Sequence, residues 1–175
     1  MAFFLLLIST EFIIQHKLLS NTSEGVALTR KGGVVLIMKI LICYDGSPAS
    51  HMAMEKTIEF FKQRKPEIIL VTVVEQPLDA SLENEDIFDK WRQERHIELK
   101  KASSFISDHG LNVDSILAVG DPRKMILEII NKKLPDLVVV ARRGKTEMEK
   151  MLLGSVSAFL VRHSTRPMKG AHAHE

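Results

Sequence analysis

From Met38 onward, apolar and polar positions switch repeatedly between strand-like and helix-like periods. Lys39 to Tyr44 is a short apolar run closed by Asp45-Gly46-Ser47-Pro48, a strand followed by a turn. Ser47 suits a helix N-cap and Pro48 a first helical residue, so a helix is predicted from Pro48 to about Arg64. Ala53, Thr57, Phe60 and Phe61 recur on it at helical spacing, and Pro66 ends it. Ile68 to Val74 is apolar apart from Thr72, as expected of a strand covered on both faces. Gln76 to Glu85 is polar and acidic and reads as a loop. Asp86 to His109 reads as a long helix with Ile87, Trp91, Leu99, Ala102, Phe105 and Ile106 on one face and Gly110 as its stop. Val113 to Val119 is a third strand, and Gly120-Asp121-Pro122 turns into a helix reaching Lys133, with Met125, Ile126, Ile129 and Ile130 inward. Leu137 to Ala141 is a fourth buried strand, Arg142 to Leu153 a loop or short helical turn, and Gly154 to His163 a last helix. Strands alternating with helices predict an α/β fold, an open parallel sheet with helices on both faces and right-handed crossovers.

Residues 1–37 break this pattern. Phe3 to Ile8 is apolar, but Glu11 interrupts it, no Lys or Arg precedes it, and it is far short of the roughly 20 residues of a membrane span. Ser20 to Gly33 reads as a linker. The expectation is an N-terminal extension over 1–37 that is no part of the fold, with Met38 opening the domain.

The 175 residues fit one domain with an appendage. Lys plus Arg number 24 against 22 Asp plus Glu, a net charge of +2, and aromatics make up 6%. Both argue against nucleic acid as a partner, which asks for a basic excess and stacking platforms. The single cysteine, Cys43, excludes an intrachain disulfide and suits a reducing compartment.

In an open parallel sheet, ligands bind beyond the carboxyl ends of the strands. Asp45-Gly46-Ser47, Gly120-Asp121-Pro122 and Ala141-Arg142-Arg143-Gly144 all fall there. Gly144 is followed by Gly154-Ser155 at a helix start, with Arg142, Arg143 and Lys145 on the intervening loop. A helix N-terminus offers unpaired N–H groups and the positive end of its dipole to an anion. Two readings fit Gly154-Ser155 equally: a phosphate cradle, to which Ser155 and Ser157 add hydroxyls, or a plain helix cap. Gly144-Lys145-Thr146 is not a P-loop, because Val139 stands where that motif needs glycine.

Met38 to Ser47, Val119-Gly120-Asp121-Pro122 and Leu137 to His163 together resemble the universal stress protein family. The family signature is a small residue, two residues, glycine, nine residues, then Gly-Ser or Gly-Thr. Here it falls on Ala141, Gly144, Gly154 and Ser155, and Leu152 to Ser157 is the most specific string. The match runs from about Met38 to Pro167, which sets the domain at 38–167 with a polar tail over 168–175. The resemblance implies a Rossmann-like sandwich of the adenine nucleotide alpha hydrolase-like type, and ATP with Mg2+ as ligand. It implies that Asp45 contacts the ribose or a metal-bound phosphate and that Cys43 and Val73 line the adenine pocket. The Ala141-to-Gly144 loop and Gly154, Ser155, Val156 and Ser157 would cradle the phosphates. The role implied is a cytoplasmic stress-response switch or adaptor for an unknown protein partner, with at most slow ATP hydrolysis.

Two departures stand out. Ala141 replaces the first signature glycine, and Arg142 stands where the family has a small hydroxyl residue. They motivate the alternative of a member that has lost ATP binding and acts only through protein contacts. The segment Met168 to Glu175 also cannot supply the apolar last strand that family members use in dimer pairing, which weakens the expectation of a homodimer. No catalytic or metal-ligating residue is assigned. Cys43 reads as packing, and His51, His96, His109 and His163 as surface or capping residues.

Overall fold

The structure is a computed structural model; it describes residues 3–9, 12–17, 28–30, 33–35, 37–75, 82–141 and 155–164. In chain order the elements are β1 (Phe3–Ser9), β2 (Phe12–Lys17), β3 (Leu28–Arg30), β4 (Gly33–Val35), β5 (Lys39–Cys43) and α1 (Pro48–Phe61). They continue with β6 (Glu67–Val74), α2 (Leu82–Asp108), β7 (Asn112–Val119), α3 (Pro122–Lys133), β8 (Leu137–Ala141) and α4 (Ser155–Ser164).

The centre of the molecule is a parallel run of four strands in the order β8-β5-β6-β7. Side chains alternate across it, as the strand period requires. Ile40, Ile42, Ile68, Leu70, Leu137 and Val139 point to one face, where Met54, Ile58, Leu99 and Ile106 of α1 and α2 cover them. Leu41, Cys43, Ile69, Val71, Val138 and Val140 point to the other, under Ile126, Ile130 and Leu160 of α3 and α4. This is the open parallel sheet with helices on both faces expected from the sequence.

Helix ends follow local chemistry. Ser47 caps α1 by accepting from the Ser50 N–H, with Pro48 next in line. Asp121 caps α3 by accepting from the N–H groups of Arg123 and Lys124. Gly110 takes the left-handed conformation after α2, at φ +74°. His109 and His163 contact the carbonyls of Phe105 and Phe159 at 2.7 and 2.8 Å, the capping role expected of them.

Several expectations are corrected. α2 begins at Leu82, inside the stretch read as loop; acidic residues there suit the positive end of a helix. Ile87 and Trp91 do not continue its buried face: they are 46% and 50% exposed, and from residue 85 onward the first buried side chain is Leu99. On α1 the buried stripe is Ala53, Met54, Thr57 and Ile58, leaving Phe60 exposed. Strands β1 and β2, within residues 1–37, extend the sheet. β2 runs antiparallel to β8, pairing Phe12 with Ala141 and His16 with Leu137. β3 and β4 form a separate antiparallel pair across the stretch read as linker. Strand β8 has a hydrogen-bonding edge to fill on the side away from β5, and β2 fills it.

A truncation prediction follows from this order. Both buried layers lie within residues 40–160, so the 38–175 fragment is expected to unfold cooperatively like the whole chain. Its opened β8 edge is expected to cause concentration-dependent association. Light scattering across a dilution series reads this; a fragment that stays monomeric at every concentration counts against the edge argument.

Candidate functional site

The chain passes from β5 to β6 on one side and returns through β8 on the other, so the strand order reverses between β5 and β8. Helices α1 and α4, which come after these two strands in the chain, cover opposite faces of the sheet, and the gap at this edge is where an open sheet forms a crevice. A cavity of about 610 Å3 lies at this point. Cys43 and Asp45 reach it from β5, Val73 from β6, Ala141 from β8, and Ser155, Val156 and Ser157 from the start of α4. Seven of the expected site residues thus surround one space. Gly144 and Gly154 lie outside the described residues, as do Arg142, Arg143 and Lys145.

The turn after β5 is tightly cross-linked. The Asp45 carboxylate accepts from the Ser47 N–H at 3.0 Å. Ser50 Oγ, in a buried side chain, donates to the Ser47 carbonyl at 2.9 Å. Tyr44 N–H donates to the Val71 carbonyl, and Thr72 Oγ1 donates to the Tyr44 carbonyl, both at 2.8 Å. Arg95 of α2 closes the set by donating to the Asp45 carbonyl and pairing with Glu98, each at 2.7 Å. Gly46 sits under this pair at φ +76°, where a Cβ would come within 2.6 Å of Arg95 and Glu98. These bonds fix where the Asp45 side chain leaves the sheet edge.

Ala141 is the last residue of β8 and is not among the residues with positive φ. Its methyl group therefore strains nothing in the backbone. Ser157 is 2% exposed, and Ser155 is exposed at the first turn of α4. With the N–H groups of that turn, this end of the cavity offers donors to an anion.

Charge on the opposite wall is mostly negative. Asp45, Glu75, Glu94 and Glu98 line the cavity with Arg95 among them. Burial raises the Tyr44 hydroxyl above its usual pKa, and the charges of Glu98 and Asp45 add to this against Arg95. Burial, aided by Asp45, pushes the Cys43 thiol up to about 12. Cys43 is therefore a neutral packing group at ordinary pH, as its strand position suggested. In the native protein at pH 8 it is expected to resist an aromatic disulfide reagent and to react at once in denaturant. Fast native labelling would contradict its burial.

The α2 wall, with Trp91, Glu94, Arg95 and Glu98, was not foreseen. Its spacing of three, four and seven residues is visible in the sequence, but only the observed helix start places that face above the sheet edge.

Comparison with known proteins identifies the fold's relatives. The universal stress protein family pattern matches residues 37–168. Universal stress protein MJ0531 of Methanocaldococcus jannaschii is 30% identical over 142 residues, covering 79% of this chain and 84% of that protein. The solved structure of MJ0577, from the same organism, superposes with a TM-score of 0.64 at 26% identity, over 74% of this chain and 92% of that one. The universal stress protein structure from Arabidopsis thaliana with AMP bound superposes at 0.52 and 23% identity, over 74% and 88% of the two chains. Among the described residues no helix is long and apolar enough to cross a membrane. With a family pattern spanning most of its length and a relative of this identity over most of both chains, the chain belongs to the universal stress protein family.

Proposed function

We propose that this chain binds an adenine nucleotide, ATP with Mg2+, in the crevice between β5 and β8, and works as a cytoplasmic stress-response switch or adaptor for a protein partner. The observation that carries this reading is the gathering of Asp45, Val73, Ala141 and the Ser155–Ser157 turn around one cavity at the reversal of strand order. The space has the size of a small-molecule site. Its apolar floor, with Val71, Val73, Ile126 and Val140, suits a base, and the α4 end suits phosphates. The AMP held by the Arabidopsis relative points to the same ligand class. Among the described residues no three His, Cys, Asp or Glu side chains are grouped to hold a metal. Mg2+ would accordingly rest mainly on phosphate oxygens and water, with Asp45 the nearest fit for a protein contact.

Calorimetry of the whole chain with ATP and Mg2+ tests the reading, supported by mass spectrometry of any ligand released on denaturation. Binding heat, or a co-purified adenine nucleotide, supports it; silence at millimolar ATP with no thermal shift sinks it. Sustained phosphate release that vanishes in Asp45→Ala would add slow hydrolysis.

The acidic lining favours a second reading, a member that has lost ATP binding and acts through protein contacts alone. Ala141→Gly separates the two: ATP affinity gained by removing the methyl group identifies Ala141 as the obstacle.

A further inference from the structure

α2 is 27 residues long, about 40 Å at 1.5 Å per residue. The strands it crosses have at most eight residues, about 26 Å. The helix therefore outruns the sheet. Among residues 85–108 its buried side chains are Leu99, Ala102 and Ile106, all in its second half. Because α2 runs from the carboxyl end of β6 back toward β7, the first half stands above the carboxyl edge, the edge that carries the cavity. Between residues 85 and 98 no side chain is buried. Trp91, Arg95 and Glu98 lie four and three residues apart, on one face of the helix, and all three line the cavity. Arg95 pins that face to the Asp45 carbonyl, so Trp91 is held one turn further out over the crevice.

We propose that Trp91 is a ligand-contacting, specificity-determining residue of this site: its indole ring stacks on the base of the bound nucleotide and closes the outer side of the crevice. The inference rests on the nucleotide reading above. Trp91 is 50% exposed, beside Ile87 and Ile97 at 46% and 48% on the same helix, and its indole leaves a large flat apolar face in water. At the mouth of a cavity whose inner wall is aliphatic, that face makes the second side of a slot for a flat aromatic ring. Stacking tolerates any base, so Trp91 selects for the presence of a base and leaves discrimination among bases to the inner wall.

The chain has one tryptophan, so its emission reports this contact alone. The whole chain is titrated with ATP and Mg2+, with adenosine, and with inorganic tripolyphosphate, while calorimetry records binding independently. ATP and adenosine are expected to quench the indole, and tripolyphosphate to leave it unchanged. Trp91→Ala is expected to weaken ATP about 10- to 100-fold, and Trp91→Phe to recover most of that loss, with the melting temperature unchanged in both. Binding heat without quenching, quenching by tripolyphosphate equal to that by ATP, or undiminished affinity in Trp91→Ala overturns the stacking role and leaves the nucleotide reading standing. Absence of heat with every nucleotide overturns both.

Discussion

Leu70→Ala is expected to destabilise the protein by about 2–5 kcal/mol, the cost of lost burial plus the cavity left behind. Leu70 is 0% exposed at the centre of β6, a strand paired on both sides, by β5 and by β7. It belongs to the layer shared with Ile42, Met54 and Ile106, where α1 and α2 meet the sheet. A paired strand cannot shift to fill a hole without giving up hydrogen bonds to two neighbours, so the site should collapse poorly and the loss fall in the upper half of the range. Domains of this size are stable by only about 5–15 kcal/mol, which makes the change a large share of the total. Leu134→Ala is the control, since Leu134 is 56% exposed and should change stability by less than about 0.5 kcal/mol. Urea unfolding with matched slopes reads both. A loss below about 1 kcal/mol in Leu70→Ala would mean that the layer yields around the gap.

The four parallel strands and their helices were legible because strands buried on both faces read as continuous apolar runs, and Ile68 to Val74 and Leu137 to Ala141 do. The cavity's location was legible for a topological reason: the turns after β5, β7 and β8 share one edge whatever the packing details. The α2 wall was not. Periodicity places Ile87, Trp91 and Leu99 on one side of a helix, but it cannot say how far along its length the sheet continues beneath it. Only the ratio of helix to strand length separates a packed Leu99 from a projecting Trp91. The place of Phe12–Lys17 was hidden for another reason. An apolar run interrupted by Glu11 carries no information about which edge it joins, and that pairing depends on an opening made by β8 more than a hundred residues later. Ala141 shows the limit of a residue-by-residue comparison: it departs from the family's signature glycine, yet its backbone is ordinary strand without positive φ.

Asp45→Ala is expected to weaken ATP with Mg2+ about 10- to 100-fold, the worth of a hydrogen bond to a charged group. The Ser47 N–H orients the carboxylate and the Arg95 guanidinium holds its backbone, so its direction is set before a ligand arrives. Its negative charge is felt around it: it adds to burial in raising the Cys43 thiol, and to burial and Glu98 in raising the Tyr44 hydroxyl. That charge makes the sign of the result informative. A carboxylate that accepts from a ribose hydroxyl or a metal-bound water is lost at the full cost. A carboxylate that merely faces phosphate repels it, and its removal would tighten binding. Asp45→Asn keeps an acceptor for the Ser47 N–H and the shape of the turn, so it should retain part of the affinity if a ribose hydroxyl is the partner and little if a cation is. Calorimetry on the three proteins, with melting temperatures to show that the turn survives, separates these cases. Tighter binding in Asp45→Ala would remove Asp45 from the contacts that favour the nucleotide and turn attention to the donors at the start of α4.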